Sequence, residues 1–256
     1  MTRRTAVAAV SAAVPLAASA QNPTPHRRPG KLKQAVCPGV FGSQMPLEER
    51  CKHAARLGIY GIDLIGPKDW PTLKKYGLVP TMVPGGAGTI RDGLNRVENQ
   101  SETKFRELLA LCASNGAPNM IALSGEKKGQ ADEEGIDNHV KFLNKVKAEL
   151  EDKQVTLCIE YLNSKVNHPD YAFDHMKYGV EICKRVNSPR VKILYDIYHA
   201  QIMEGDIIRT IRDNFQYMGH FHTAGNPGRH EMDDSQEMNY RGIAKAIAGL
   251  NYTDFI

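Results

Sequence analysis

From residue 33 onward the chain alternates short apolar runs with longer segments in which apolar residues recur every three or four positions. A short apolar run fits a strand buried on both faces, and the three-to-four spacing fits an amphipathic helix. This pattern predicts strands at 34–37, 61–65, 78–82, 119–123, 156–160, 191–196 and 218–222. It predicts helices at 46–57, 71–76, 101–115, 133–151, 171–186, 205–214 and 240–248. Leu47, Cys51, Ala54 and Ala55 share one side of the first helix. Phe105, Leu108, Leu109 and Cys112 do so in the third, behind Ser101 as a helix-starting cap. Residues 254–256 read as the opening of an eighth strand. Strands alternating with helices make an α/β fold with a parallel sheet. Seven such units and the start of another favour a closed (β/α)8 barrel over an open doubly wound sheet. No strand is followed by a Gly-x-Gly-x-x-Gly turn, so a dinucleotide site has no support.

The first 32 residues break the pattern. Arg3 and Arg4 precede a small, apolar run that closes on Ala18-Ser19-Ala20, the form of an export signal at 1–20, too short to span a bilayer as a helix. The Thr2-Arg3-Arg4 start is similar to a bacterial twin-arginine signal, with Ala6-Val7 where Phe-Leu is usual. The expectation is an exported, periplasmic protein with no membrane attachment once the signal is removed. Pro23, Pro25, Pro29 and Gly30 mark 21–32 as a linker, leaving 33–256 as the barrel. Cys37, Cys51, Cys112, Cys158 and Cys183 are odd in number and contain no Cys-x-x-Cys pair, which fits buried thiols in a protein folded before export. Net charge is +4, and removal of Arg3 and Arg4 leaves +2, too near balance for a nucleic-acid footprint.

Within the barrel, three successive strands end in residues that can hold a metal. Glu160 closes Cys158-Ile159-Glu160, Asp196 closes Leu194-Tyr195-Asp196, and His222 closes His220-Phe221-His222. Barrel active sites lie at the carboxyl ends of the strands, so these three side chains are expected to converge. Each alone has an ordinary explanation: Glu160 as a rim carboxylate, Asp196 as a cap on the following turn. His220 and His222, two apart on one face of a strand, are harder to dismiss. Two carboxylates and an imidazole suit Mg²⁺ or Mn²⁺, with Co²⁺ or Zn²⁺ as further candidates, and no cysteine pair suggests structural zinc. Such an ion would stabilise the enediolate formed when a proton leaves a carbon next to a carbonyl, and a glutamate beside it could carry that proton. His199, three residues after Asp196, is a candidate hydrogen-bonding group for the substrate. Arg229, in the turn-rich loop after His222, is a candidate carboxylate anchor.

At these residues the chain resembles the hydroxypyruvate isomerase-like branch of the xylose isomerase-like TIM barrels, from about Lys33 to Ile256. The resemblance is carried by Cys158-Ile159-Glu160-Tyr161-Leu162-Asn163, by Leu194-Tyr195-Asp196-Ile197-Tyr198-His199, and by Gly219-His220-Phe221-His222-Thr223 with Pro227-Gly228-Arg229. Glu237-Met238-Asn239-Tyr240 and Leu64-Ile65-Gly66-Pro67-Lys68-Asp69-Trp70 add to it. It implies a divalent metal on Glu160, Asp196 and His222, an acid–base role for Glu160, and substrate contacts from His199 and Arg229. It implies the interconversion of hydroxypyruvate and tartronate semialdehyde. The isomerases commonly carry glutamine at the position of His222, and the related keto-sugar epimerases histidine. The family also places a second metal-binding, proton-handling glutamate in the eighth strand, beyond Ile256. The sequence is therefore expected to be cut short, with the first and seventh strands left as open edges.

Three other readings follow from the same residues. One is an epimerase or isomerase of larger keto-sugars. Another is a zinc-dependent DNA-repair endonuclease of the same fold, disfavoured by the charge and the small ligand set. The third is an exported sugar- or acid-binding barrel without chemistry. The expected partners are a small hydroxy-carbonyl acid or sugar and, in a homo-oligomer, further copies of the chain.

Overall fold

A computed structural model describes residues 30–256. The expected export signal at 1–20 and the linker residues 21–29 lie outside the described residues. The elements follow the strand–helix alternation: β1 (Ala35–Val36), α1 (Leu47–Arg56), β2 (Gly61–Asp63), α2 (Trp70–Lys75), β3 (Val79–Met82), α3 (Glu102–Asn115) and β4 (Asn119–Ala122) form the first half. Then come α4 (Asp132–Lys153), β5 (Thr156–Glu160), α5 (Met176–Val186), β6 (Val191–Asp196), α6 (Ile197–Met203), α7 (Ile207–Asn214), β7 (Met218–His222) and α8 (Tyr240–Gly249).

The strands lie in two parallel arcs, β1-β2-β3 and β4-β5-β6-β7. One seam between the arcs is closed by Val83, whose N–H donates to the Asn119 carbonyl at 2.9 Å and whose carbonyl accepts from the Ile121 N–H at 3.0 Å. The other seam is closed by the end of the chain. The Ile256 N–H donates to the Lys33 carbonyl at 3.0 Å, and the Ile256 carbonyl accepts from the Ala35 N–H at 2.8 Å. On its other side the Phe255 carbonyl accepts from the Phe221 N–H at 3.4 Å and the Tyr252 hydroxyl at 2.6 Å. Residues 254–256 thus occupy the eighth-strand position, which corrects the expectation of open edges on β1 and β7. The backbone groups of the neighbouring strands find partners there because buried N–H and C=O groups need them wherever water is excluded.

Alternation along each strand separates two cores. Ile159, Ile193 and Phe221 join the large apolar layer between sheet and helices. Met82, Ile121, Cys158 and Leu194 form a smaller cluster of their own inside the barrel. Side chains two residues apart share a face, so Glu160 stands above Cys158 and Asp196 above Leu194. The interior apolar layer is the floor on which the polar residues sit.

The helix expected at 171–186 begins only at Met176. Tyr171, Ala172 and Phe173 before it are buried in a loop that turns inward, with the Phe173 ring 5.3 Å from that of Tyr161. Apolar spacing marked these residues as buried but could not tell a loop from a helical turn. The strand expected at 61–65 stops at Asp63, because Leu64 adopts φ 55° and leaves the extended region. Helix α6 lies in a stretch assigned to no element from sequence; at seven residues it is too short to show a period.

Candidate metal centre and active site

The side chains at the ends of β5, β6 and β7 meet. His222 Nδ1 lies 3.4 Å from Glu160 Oε1 and 3.8 Å from Asp196 Oδ2. One ligand atom from each of the three falls within 4.8 Å of the others. All three residues are buried at the barrel mouth, with Asp196 only 2% exposed. Each is placed by the register of its ladder: Glu160 pairs with Leu194, and Asp196 pairs with His222.

Asp196 divides its two oxygens between two tasks. Oδ1 accepts from the backbone N–H groups of Tyr198 at 3.0 Å and His199 at 3.3 Å, capping α6. Oδ2 faces the site, 3.7 Å from His199 Nε2 and 3.6 Å from an Arg229 guanidinium nitrogen. One oxygen is therefore used by the cap, and the other is left facing the site. The cap also turns the chain so that His199 comes back over the strand end.

His199 is fully buried. Its Nδ1 accepts from the Asn163 backbone N–H at 3.2 Å and lies 2.6 Å from Asn163 Nδ2. With Nδ1 an acceptor, the ring carries its hydrogen on Nε2, which has no hydrogen-bond partner among the described residues. Burial, reinforced by the positive charge of Arg229, pulls the pKa of His199 down to about 3. His199 is a neutral donor aimed into the site. Arg229 stands at the rim, its side chain 46% exposed, in a left-handed backbone conformation with its guanidinium 5.5 Å from the centre of the Tyr198 ring.

Behind His222 lies a group that the strand-end argument did not single out. Asp63, at the end of β2, is 2% exposed. Its Oδ1 accepts from the Thr81 hydroxyl at 2.5 Å, its Oδ2 is 2.9 Å from His220 Nε2, and the same Oδ2 is 3.2 Å from His222 Nε2. Burial would raise the pKa of Asp63, but the two imidazoles outweigh it and hold the carboxyl far below the usual carboxylate range. For His222, burial works to lower the pKa, and the Asp63 and Glu160 carboxylates override it and hold it well above the ordinary imidazole value. Cys37, just after β1, completes a second trio with Asp63 and His222. Burial, with the nearby carboxylates, pushes its thiol up to about 11. The sequence pattern hid Asp63, because the apolar run continues to Ile65 and puts it in mid-strand; only the left-handed turn at Leu64 makes it a strand end.

The donor set fits a divalent ion. Two carboxylates and one imidazole nitrogen are the ligands that Mg²⁺, Mn²⁺ and Zn²⁺ share. A divalent ion there would take the place of the positive charge that His222, held well above its ordinary pKa, otherwise sets beside the two carboxylates.

Residues 70–256 match the model of a family described as the xylose isomerase-like TIM barrel. The chain belongs to that family. Among relatives, a 2-oxo-tetronate isomerase of Pectobacterium atrosepticum is 25% identical over 84% of this chain and 86% of its own length. A protein of Danio rerio named as a hydroxypyruvate isomerase is 37% identical, over 38% of this chain and 36% of the relative. Among solved structures, one described as an AP endonuclease, family 2, from Brucella melitensis superposes with a TM-score of 0.76 at 24% identity, covering 88% of this chain and 91% of that one. At that identity the superposition speaks for the xylose isomerase-like fold alone.

Proposed function

We propose that this chain is a metal-dependent isomerase of small hydroxy-2-oxo acids, acting on hydroxypyruvate or its four-carbon homologue by proton transfer between adjacent carbons. The isomerase class rests on kinship with the 2-oxo-tetronate and hydroxypyruvate isomerases. The observation that carries the chemistry is the convergence of Glu160, Asp196 and His222 within 4.8 Å at the mouth of a barrel.

A divalent ion held by these three residues would polarise the neighbouring carbonyl and hydroxyl oxygens of the substrate and so acidify the hydrogen on C3. Glu160 then takes that hydrogen as a proton, the C3–H electrons form the C2–C3 double bond of an enediol, and the C2 carbonyl oxygen gains a proton. Return of a proton to C2 and loss of the hydroxyl proton at C3 leaves the carbonyl on C3. Nothing is oxidised or reduced overall. Neutral His199, with Nε2–H facing the site, donates a hydrogen bond to the oxygen on which charge develops. Arg229 takes the substrate carboxylate; its guanidinium matches that group in two parallel hydrogen bonds. The same reading places the protein outside the cytoplasm, on the export signal at 1–20.

The test is a panel of hydroxypyruvate, 2-oxo-tetronate and keto-hexoses, each supplied with Mg²⁺ or Mn²⁺ in D₂O and followed by proton NMR. Deuterium should enter the carbon next to the carbonyl of the short acids, with formation of the isomeric product. Exchange only in the hexoses would replace the acid reading with a sugar epimerase, and exchange in none would leave a binding protein.

A further inference from the structure

The proposed centre uses one face of the His222 ring, and the opposite face meets a buried carboxylate that the mechanism leaves unused. Nδ1 looks toward Glu160 and Asp196, while Nε2 lies 3.2 Å from Asp63 Oδ2, a contact too oblique to count as a hydrogen bond. Asp63 does not move freely to meet it. Its other oxygen accepts from Thr81 at 2.5 Å, and His220 lies 2.9 Å from the shared Oδ2. All three of Asp63, Thr81 and His220 are essentially removed from solvent. Position 61 adds to the constraint: a Cβ on Gly61 would collide with the Val79 carbonyl and the Thr81 side chain, so β2 and β3 lie close enough for Thr81 to reach Asp63.

We propose that Asp63, clamped by Thr81 and His220, is the positioning residue that sets the tautomer and the ring orientation of His222. The inference rests on the metal-centre reading given above. A carboxylate facing Nε2 favours the tautomer with its hydrogen on that nitrogen, which leaves the Nδ1 lone pair directed at the gap between Glu160 and Asp196. A lone pair there is what a divalent cation requires, and a carboxylate on the far nitrogen also makes the ligating nitrogen more basic. The clamp explains why a carboxylate is buried at the end of β2, where it is a group apart from the three at β5, β6 and β7. It also gives a use to His220, whose Nδ1 has no hydrogen-bond partner and which is held out of the ligand trio by its hydrogen bond to Asp63.

The competing use of this face is a second ion held by Cys37, Asp63 and His222. That arrangement would need the Nε2 lone pair, the opposite tautomer, and a deprotonated thiol.

The experiment measures Mn²⁺ and Zn²⁺ affinity and stoichiometry on the full chain by competition with a chelating dye, together with the melting temperature of the metal-free protein. The unaltered protein should bind one ion per chain. Asp63→Asn keeps the shape but presents an amide to Nε2, and should weaken binding by about 10- to 100-fold, as is usual for loss of an outer carboxylate partner. Because Asp63 also pairs with His220 and His222, the metal-free melting temperature should fall too, so affinities are compared only in protein that is still folded at the assay temperature. Thr81→Val, which leaves the carboxylate but loosens it, should weaken binding by a smaller factor and decides the matter if the Asp63 variant does not fold. Unchanged affinity in a folded Asp63→Asn, or in Thr81→Val when that is the folded one, overturns the proposal while leaving the centre intact. A second equivalent of Zn²⁺ that disappears in Cys37→Ser overturns it in favour of the alternative site. If the unaltered protein binds no ion, the centre itself is refuted and this inference with it.

Discussion

The two arcs of the barrel make unequal contributions to the site. The β4–β7 arc is built of strands four to six residues long in a ladder with one irregularity, between Ile193 and Leu194. It delivers Glu160, Asp196 and His222 to one point. The β1–β3 arc has strands of two to four residues, a register shift between Ile62 and Asp63, and a left-handed Leu64 directly after the second strand. It delivers no member of the Glu160, Asp196 and His222 trio; it delivers Asp63 and Thr81, which grip the back of His222. The arc that brings the trio together is the one with the longer strands, and the register shift before Asp63 lies where that carboxylate turns toward His222.

This division predicts that substitutions in the two arcs fail differently. The largest effect belongs to Glu160→Gln, which keeps an oxygen for the ion but removes the proton acceptor. Deuterium exchange and turnover should fall by about 10³-fold or more, within the range general-base catalysis supplies, while Mn²⁺ still binds. Retention of exchange in a variant that binds metal would take Glu160 out of the chemistry. Next comes Asp196→Asn, which separates the two tasks of that side chain. Asparagine caps a helix as well as aspartate does, so α6 and the melting temperature of the metal-free protein should be preserved. Ion affinity should fall further than for Asp63→Asn, because a charged ligand is lost and not an outer partner. An equal drop in melting temperature and affinity would mean that the cap and the site are not separable.

The same contrast governs what could be read from the sequence. The β5, β6 and β7 ends were legible because three apolar runs each closed on a ligand type, and strand geometry forces such ends together. At β2 the apolar run carries on through Leu64 and Ile65, so Asp63 stood in mid-strand, and it acquires meaning only from His220 and Thr81, 157 and 18 residues away in the chain. No local period encodes such a contact. Helix α6 was hidden for a different reason: it is started by a single capping oxygen, and a cap at a strand end is indistinguishable in sequence from a ligand there. The bonds that Phe255 and Ile256 make to both neighbouring strands could not be read from the sequence, because three residues are too few to show a strand period.

Two buried histidines extend the comparison from the site to the helical layer. His222 is held above its ordinary pKa by carboxylates, whereas His139 on α4 has none near it. His139 Nδ1 is 2.8 Å from the Gly135 carbonyl, its Nε2 has no partner, and its ring meets Tyr178 edge-on at 5.8 Å. Burial lowers its pKa to about 4, partly offset by the Gly135 hydrogen bond. The unfolded chain, with a histidine pKa near 6.5, therefore binds a proton that the folded chain refuses between those two values. The stability is present in full above about pH 6.5, declines as the pH falls, and is reduced by about 3 kcal/mol below pH 4. Denaturant titrations at pH 7.5 and pH 5 should show this loss, and His139→Leu should lessen it by about 2 kcal/mol over that range, with His199 keeping its own contribution. An unaltered slope in that variant would assign the acid sensitivity to other groups.

The smallest effect is expected at Arg229, which lies on the catalytic arc but outside its rigid part. Its side chain is nearly half exposed and rests against Tyr198, and it touches the buried centre only through a 3.6 Å approach to Asp196. A hydrogen bond to a charged group is worth about 1.5–3 kcal/mol, and solvent screening at an exposed rim reduces that toward about 1 kcal/mol. Arg229→Met should therefore raise KM for a 2-oxo acid by about 5-fold. On the proposed reading the guanidinium would meet the substrate carboxylate and not the carbons that exchange a proton, so it would bind ground state and transition state alike and kcat should stay within about 3-fold. Arg229→Lys should recover only part of the loss, because an ammonium offers a point charge where the guanidinium offers a planar fork. A fall in kcat with KM unchanged would move Arg229 from the anchoring of the carboxylate to the reacting carbons, and the division between a reacting centre and its exposed rim would have to be redrawn.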